Sequence, residues 1–241
     1  MNNQNFFVAG TDTGVGKTVL SLLIMQFFYN NGFSPFYLKP FQTGCVNPYD
    51  EDSDARFIYS NIGRLKGEDP GESVIYCFNN PKAPYFAARD AGRLNDIDVG
   101  SINEILEQKA GVFNPVILEG AGGVFVPIDE KNLMIDLIEL TASRPIIAAR
   151  AGLGTINHTL LTINALRQRG IEPIGIVFID PDEKPAHPDM IRENMEAIRL
   201  FSGIEVAGVI GRIEDFSRPQ ERYYEIIGKI FGKSTVIGQG R

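Results

Sequence analysis

The sequence of 241 residues contains no tryptophan, two cysteines and two histidines, and no stretch of it approaches the ~20 consecutive apolar residues of a membrane span. Cys45 and Cys77 lack the spacing of a metal or cluster site, so two free thiols in a reducing compartment are expected. His158 and His187 are isolated and read first as packing or surface residues. Basic runs are absent as well. Lysine and arginine total 23 against 30 acidic residues, a formal charge of −7. Nucleic acid and anionic membrane are therefore poor partners. The opening Met1-Asn2-Asn3-Gln4-Asn5 has no basic segment and runs straight into a strand, so no leader is expected and the cytoplasm is the expected location.

What is present starts with Val8-Ala9-Gly10-Thr11-Asp12-Thr13-Gly14-Val15-Gly16-Lys17-Thr18. An apolar run precedes it and a long helical pattern, Val19 to Tyr29, follows. Strand, glycine-rich turn and helix form a phosphate cradle. Its backbone N–H groups point inward and the helix N-terminus adds positive dipole. Lys17 is placed to reach β- and γ-phosphates, and the Thr18 hydroxyl to coordinate Mg²⁺. The turn is a variant: Gly10 and Gly16 have five residues between them and Thr11 stands where the first glycine of the strict pattern belongs. The alternative, a glycine turn with a surface lysine, does not explain why Gly16-Lys17-Thr18 falls at a strand-to-helix junction.

Apolar runs and helical patterns alternate along the whole chain. Strands are expected at Phe6–Gly10, Pro35–Leu38, Val74–Phe78, Val116–Leu118, Pro145–Ala149, Ile174–Ile179 and Val206–Gly211. Pro40 is expected to stop the second of these. Helices are expected between them, with Gln220–Phe231 last. Gly63–Gly71 reads as the least structured loop, and the tail after Gly232 gives no reading. The alternation predicts one α/β domain over residues 1–241: a doubly wound, mainly parallel sheet with helices on both faces, similar to P-loop NTPases. Ligands of such sheets lie beyond the carboxyl ends of the strands.

Those strand ends carry the chemistry. Lys39 closes the second strand, across the phosphate from Lys17, and two ammonium groups can neutralise a transferring phosphoryl group. The alternative is a solvated turn lysine. Glu119 closes a buried apolar strand and leads into Gly120-Ala121-Gly122-Gly123, the position of a metal-binding carboxylate in a nucleotide enzyme. Asp54 lies at a helix start, where a metal ligand and a helix N-cap are both open readings. Thr18, Asp54 and Glu119 together offer the oxygen set that Mg²⁺ prefers. A second glycine turn, Gly152-Leu153-Gly154-Thr155, opens a further helix.

Gly10-Thr11-Asp12-Thr13-x-Val15-Gly16-Lys17-Thr18, Lys39-Pro40 with Thr43-Gly44, Ser53-Asp54-Ala55, Glu119-Gly120-Ala121-Gly122-Gly123 and Leu153-Gly154-x-Ile156-Asn157-His158 follow one another in the order that resembles the dethiobiotin synthetases. The match covers about the first two-thirds of the chain, and the combination is specific where the P-loop alone is not. The resemblance implies an ATP- and Mg²⁺-dependent ligase that carboxylates 7,8-diaminononanoate with CO₂ or bicarbonate. A carbamate attacks the γ-phosphate, a carbamic–phosphoric anhydride forms, and the second amine closes the cyclic urea of dethiobiotin. It implies Lys39 and Lys17 as catalytic lysines. It places Thr18, Asp54 and Glu119 on the metal, and Gly14, Val15, Gly16, Val19, Gly120, Ala121 and Gly122 around the nucleotide. Thr13 and Thr43 would touch the substrate. A homodimer is implied, in which Leu153, Gly154, Thr155, Ile156 and Asn157 of one subunit reach the substrate of the other. A helix N-terminus there suits the substrate's carboxylate tail.

The departures from that pattern cluster on nucleoside contacts. Well-known members carry Asn-Asp where this chain has Ile179-Asp180, and the Asn reads adenine. Gly211 replaces a proline, ahead of Arg212 and Ile213 at the same end of the site, and Gly14 replaces an acid of some members. Phosphate and metal positions are unchanged. The expectation is that the chemistry is kept and other nucleoside triphosphates substitute for ATP. The rival reading is a nucleotide-switch ATPase of the partition or nitrogenase-iron-protein type. Such proteins carry a signature lysine about where Asp12 sits, and they lack the Lys39-Pro40 pair. Amidotransferase-type synthetases share the architecture and add a glutaminase domain for which this chain has no room.

Overall fold

Phe6, Phe7, Val8 and Ala9 of β1 (Asn5–Gly10) are all buried, because helices cover both faces of this strand. The computed structural model describes residues 4–236. Met1–Asn3, on which the leader reading partly rests, and residues 237–241 of the unread tail lie outside the described residues. After β1 come α1 (Lys17–Asn30), β2 (Phe36–Thr43), α2 (Asp54–Asn61), β3 (Val74–Phe78), α3 (Pro84–Asp90), α4 (Val99–Ala110) and β4 (Val116–Gly123). The second half continues with α5 (Met134–Leu140), β5 (Arg144–Arg150), α6 (Thr155–Gln168), β6 (Gly175–Asp180), α7 (Pro188–Ser202), β7 (Val206–Gly211) and α8 (Tyr224–Val236), the last broken at Gly232. The strands form one parallel sheet in the order β3-β2-β4-β1-β5-β6-β7, the single doubly wound α/β domain that the alternation predicts.

The two-residue period of a strand sorts its side chains between two cores. Phe6 and Val8 pack with Leu20 and Ile24 of α1, Ile58 of α2 and Ile227 of α8. Phe7 and Ala9 pack with residues of α3 to α7, among them Leu106, Leu137 and Leu166. Tyr37 of β2 and Ile117 of β4 belong to the α1 side and are register partners. Two residues on, Lys39 and Glu119 therefore emerge side by side toward α1. Leu118 faces the other core and is fully buried. Leu118→Ala is expected to cost about 2–5 kcal/mol through lost contacts and a residual cavity, read as a lower urea midpoint with unchanged slope.

Four expectations are corrected. β2 does not stop at Pro40 but continues to Thr43. Residues Phe36 to Leu38 pair with β4, whereas Lys39, Phe41, Gln42 and Thr43 pair with β3. Phe36 donates to Pro115 on the β4 side, so by alternation Pro40 also faces that side, past the last paired residue, where no N–H is needed. β4 likewise runs on through Glu119 and the glycines to Gly123, so Glu119 lies inside a strand and not at its end. Gly63–Gly71 is structured: short 3₁₀ helices span Gly63–Leu65 and Pro70–Ser73, the second capped by Asp69. The last helix begins at Tyr224, after a 3₁₀ turn at Glu221–Tyr223.

Candidate active site

The loop between β1 and α1 leaves the first helical turn open. Gly16 caps α1 in the left-handed region, at φ 87°, without a side-chain cap and with no acid in the first turn, so the N–H groups and the dipole face outward unopposed. Gly16 is also constrained by contact: a Cβ there would lie 2.6 Å from Ile179. Lys17 is buried, and its Nζ donates to the Asp12 carbonyl at 3.1 Å. Burial, with the nearby Lys39 charge adding to it, lowers its pKa to about 8.

Lys39 is 4% exposed, and its Nζ lies 2.7 Å from Glu119 Oε1, 2.8 Å from Asp54 Oδ2 and 3.3 Å from the Gly120 carbonyl. Burial alone would lower its pKa. Asp54 and Glu119 outweigh burial and hold its pKa above the usual lysine range. The reverse holds at Asp54, where burial is outweighed by the Lys39 charge and the carboxyl stays below its ordinary range. The Thr18 hydroxyl approaches Asp54 Oδ1 at 2.7 Å and Glu119 Oε1 at 2.9 Å. One hydroxyl has one proton, so it serves only one of these carboxylate oxygens at a time. Three oxygens thus meet in one place, from α1, α2 and β4, beside the phosphate loop. Among the described residues no three His, Cys, Asp or Glu side chains converge to hold a metal; what this place offers is two carboxylates and a hydroxyl.

Asp54 is free for this because Ser53 takes the cap of α2, accepting from the Arg56 N–H at 3.3 Å. Ser53→Ala is expected to cost about 1 kcal/mol, read by chemical denaturation. Its larger consequence is a loosened Asp54, whose own N–H is held by Gln42 Oε1 at 3.0 Å. Glu119 is held from behind: Ser21 donates to Oε2 at 2.8 Å and Tyr37 at 3.0 Å. Neither residue was singled out from the sequence. Ser21 lies one helical turn after Thr18, and Tyr37 two residues before Lys39 on the same strand face, and these spacings are the signals that point to them.

The other candidates fall into three groups. Gly14, Val15 and Val19 belong to the loop and α1, and Gly122, at φ 68° in the bulged end of β4, approaches Thr13, whose Oγ1 would lie 3.4 Å from a Cβ on Gly122. Gly120 and Ala121 complete that strand, and Thr43 ends β2 four residues beyond Lys39. Asp180 ends β6 and accepts from the Ala186 N–H at 2.9 Å, while Arg212 pairs with Glu183 at 2.8 Å. The Gly211 carbonyl accepts from the Tyr223 hydroxyl, and Ile213 is buried with the α1-side core. The turn Leu153–Asn157 stands apart from the Lys39 cluster. Leu153 is 93% exposed, Gly154 caps α6 in the left-handed region, Thr155 is buried, and Ile156 and Asn157 lie in the first turn.

A glycine-rich turn feeding an open helix N-terminus at the centre of a doubly wound parallel sheet, with lysines and acids gathered beside it, defines a P-loop nucleotide-binding protein. The fold agrees with that of the cell division protein MinD from Aquifex aeolicus, with a TM-score of 0.58 and 14% identity, covering 99% of this chain and 98% of the other. The family described as AAA domain matches residues 4–220. The ATP-dependent dethiobiotin synthetase BioD of Hydrogenobaculum sp. (strain Y04AAS1) is 38% identical over 205 residues, 80% of this chain and 88% of that protein. BioD of Methanococcus vannielii is 31% identical over 213 residues, 87% of this chain and 94% of that protein. The chain belongs to the ATP-dependent dethiobiotin synthetase family.

Proposed function

We propose that this chain is itself a dethiobiotin synthetase: it joins 7,8-diaminononanoate and CO₂ at the expense of a nucleoside triphosphate, closing a cyclic urea. The observation that carries the reading is Lys39, buried between Asp54 and Glu119 and within reach of the Thr18 hydroxyl's partners at the mouth of the P-loop. The switch-ATPase alternative has no use for a lysine in this place, and the likeness to MinD extends to the fold alone.

The residues divide the work. The loop N–H groups and Lys17 hold the β- and γ-phosphates. Thr18, Asp54 and Glu119 match a Mg²⁺ ion, which favours one or two carboxylates, a hydroxyl and waters; bound there, it would neutralise charge on the phosphate oxygens. In the free protein Lys39 balances the two acids. Once a cation balances them, the Lys39 ammonium can turn to the carbamate and the departing phosphoryl group, whose charges it neutralises in a dry setting. Thr13 and Thr43 line the substrate side. The turn Leu153–Asn157 offers its N–H groups to the carboxylate tail in the partner's site.

A second copy fits the exposed face beside that turn. Leu153, Leu161 and Phe125 are 93%, 59% and 61% exposed. A groove of about 550 Å³ lined by Phe125, Val126, His158 and Leu161 lies next to Thr11 and Asp12 of the loop. Leu161→Glu is expected to give a monomer by light scattering, with turnover falling together with dimer content. No described helix is long and apolar enough to cross a membrane, and the cytoplasm is the proposed location.

Ile179 presents hydrocarbon against Gly16, and Gly211 has no side chain, so neither offers the side-chain amide that reads adenine. CTP and GTP are therefore expected to support turnover within about tenfold of ATP, as for sites that hold a base without reading its edge. The test of the reading as a whole is phosphate release. It should require nucleotide, diamine and bicarbonate together. Release that continues undiminished without diamine would favour the switch ATPase.

A further inference from the structure

The reactive cluster fixes the direction in which a nucleotide must lie. Lys39, Asp54 and Glu119 sit on the β4/β2 side of β1. A γ-phosphate engaged by Lys39 leaves the α-phosphate and the nucleoside to run the other way, over β5 and β6. Two contacts mark that flank of the P-loop. Gly16 meets Ile179 at the end of β6, and Gly14 meets Arg150, the last residue of β5 and the register partner of Ile179. A Cβ on Gly14, which has φ 68°, would lie 3.7 Å from Arg150 Nη2 and within 4 Å of nothing else.

Arg150 is exposed, and among the described residues its guanidinium makes no hydrogen bond or ion pair. Three other arginines of this half of the molecule are committed: Arg212 to Glu183, Arg167 to Glu172, and Arg169 to Asp136 and Glu139. A chain of net charge −7 thus keeps one free guanidinium at the open flank of its phosphate loop. Guanidinium matches phosphate oxygens in a two-pronged geometry that no neutral side chain supplies.

We propose that Arg150 is a nucleotide-positioning residue that pairs with the α- and β-phosphates from the side opposite Lys39. The inference rests on the nucleotide reading of the P-loop and extends it to a residue outside the loop. The contact is with phosphate, so it serves every base alike, in keeping with the apolar Ile179 beside it. Lys39 handles the end of the triphosphate that is transferred, and Arg150 the end that stays with the nucleoside. Removing Arg150 should therefore weaken nucleotide binding and spare the chemical step.

The experiment is a direct titration of the full chain with Mg-ATP, Mg-CTP and Mg-GTP, followed by steady-state kinetics. Arg150→Ala should weaken all three by about tenfold, the size of one charge-assisted hydrogen bond. Arg150→Lys should recover part of the loss. The gap between wild type and Arg150→Ala should narrow as salt rises. In turnover, KM for the nucleotide should rise about tenfold, with kcat within about twofold and KM for the diamine unchanged. The unfolding midpoint without nucleotide should not move, since the side chain is exposed and unpaired. Wild-type affinity in Arg150→Ala, or a loss confined to one base, overturns the proposal while leaving the nucleotide reading intact. A wild-type protein that binds none of the three overturns both.

Discussion

Lys39→Ala is expected to lower kcat by about 10³-fold or more, the range for removing a charge that stabilises a transferring phosphoryl group. KM for nucleotide should change much less, because the loop N–H groups and Lys17 remain. The variant has a second signature. Without nucleotide or metal, Asp54 and Glu119 lose the ammonium that separates them, and Glu119 is fully buried. Breaking such a buried pair costs on the order of 3 kcal/mol, and less here because the Asp54 carboxylate is 28% exposed. A divalent cation between the acids replaces the lost charge. The urea midpoint of Lys39→Ala should therefore be low in EDTA and recover with millimolar Mg²⁺, while the wild type responds less. A variant that turns over normally would remove Lys39 from the mechanism. One whose stability ignores Mg²⁺ would separate the acids from the metal.

Glu119→Ala is expected to be the most damaging single change, destabilising the fold by about 3–5 kcal/mol and removing turnover. Four side chains converge on its two oxygens: Lys39 and Thr18 on Oε1, Ser21 and Tyr37 on Oε2. Alanine removes one partner from each: Lys39 and Thr18 keep Asp54 and Ser21 keeps the Lys17 carbonyl, but the Tyr37 hydroxyl is left without an acceptor. Tyr37 is fully buried, and burial together with the Glu119 charge raises its pKa well above the ordinary value, so it remains a phenol in need of an acceptor. Glu119→Gln keeps the shape and an acceptor and removes the charge. It should recover most of the stability, measured by urea unfolding, and little of the activity. Equal stability losses in the two variants would show that Glu119 is chiefly a charge partner of Lys39 and not the node of a hydrogen-bond network.

Much of this arrangement was legible in the residues. The alternation of strand and helix gave the architecture, and the open glycine turn before Lys17 marked the phosphate end. The misreadings at Pro40 and after Glu119 share a cause: a neighbouring strand overrides the local signal. Proline ends a strand only where its missing N–H is needed. Pro40 faces away from β3 and lies beyond the pairing with β4, so β2 runs through it. The glycines after Glu119 look like a turn, yet pairing resumes where Gly123 lies opposite Gly10, so they form a bulge within β4, with Gly122 at φ 68°, and do not end the strand. The cap reading of Asp54 falls to the residue before it, because Ser53 accepts from the Arg56 N–H. Ser21, Tyr37 and Arg150 stayed invisible because their roles depend on register between elements far apart in sequence. Ser21 and Tyr37 become visible once Lys39 and Glu119 are placed side by side, and Arg150 once β5 is placed beside β1.

The most direct test of the account is to incubate the protein with 7,8-diaminononanoate, ¹³C-bicarbonate, Mg²⁺ and ATP and to follow product mass together with ADP. The account predicts dethiobiotin carrying one ¹³C in its ureido carbon, one ADP for each product formed, and loss of both signals in Lys39→Ala. ADP formed at an undiminished rate without diamine, or consumption of diamine without ¹³C entering a ring, would contradict it.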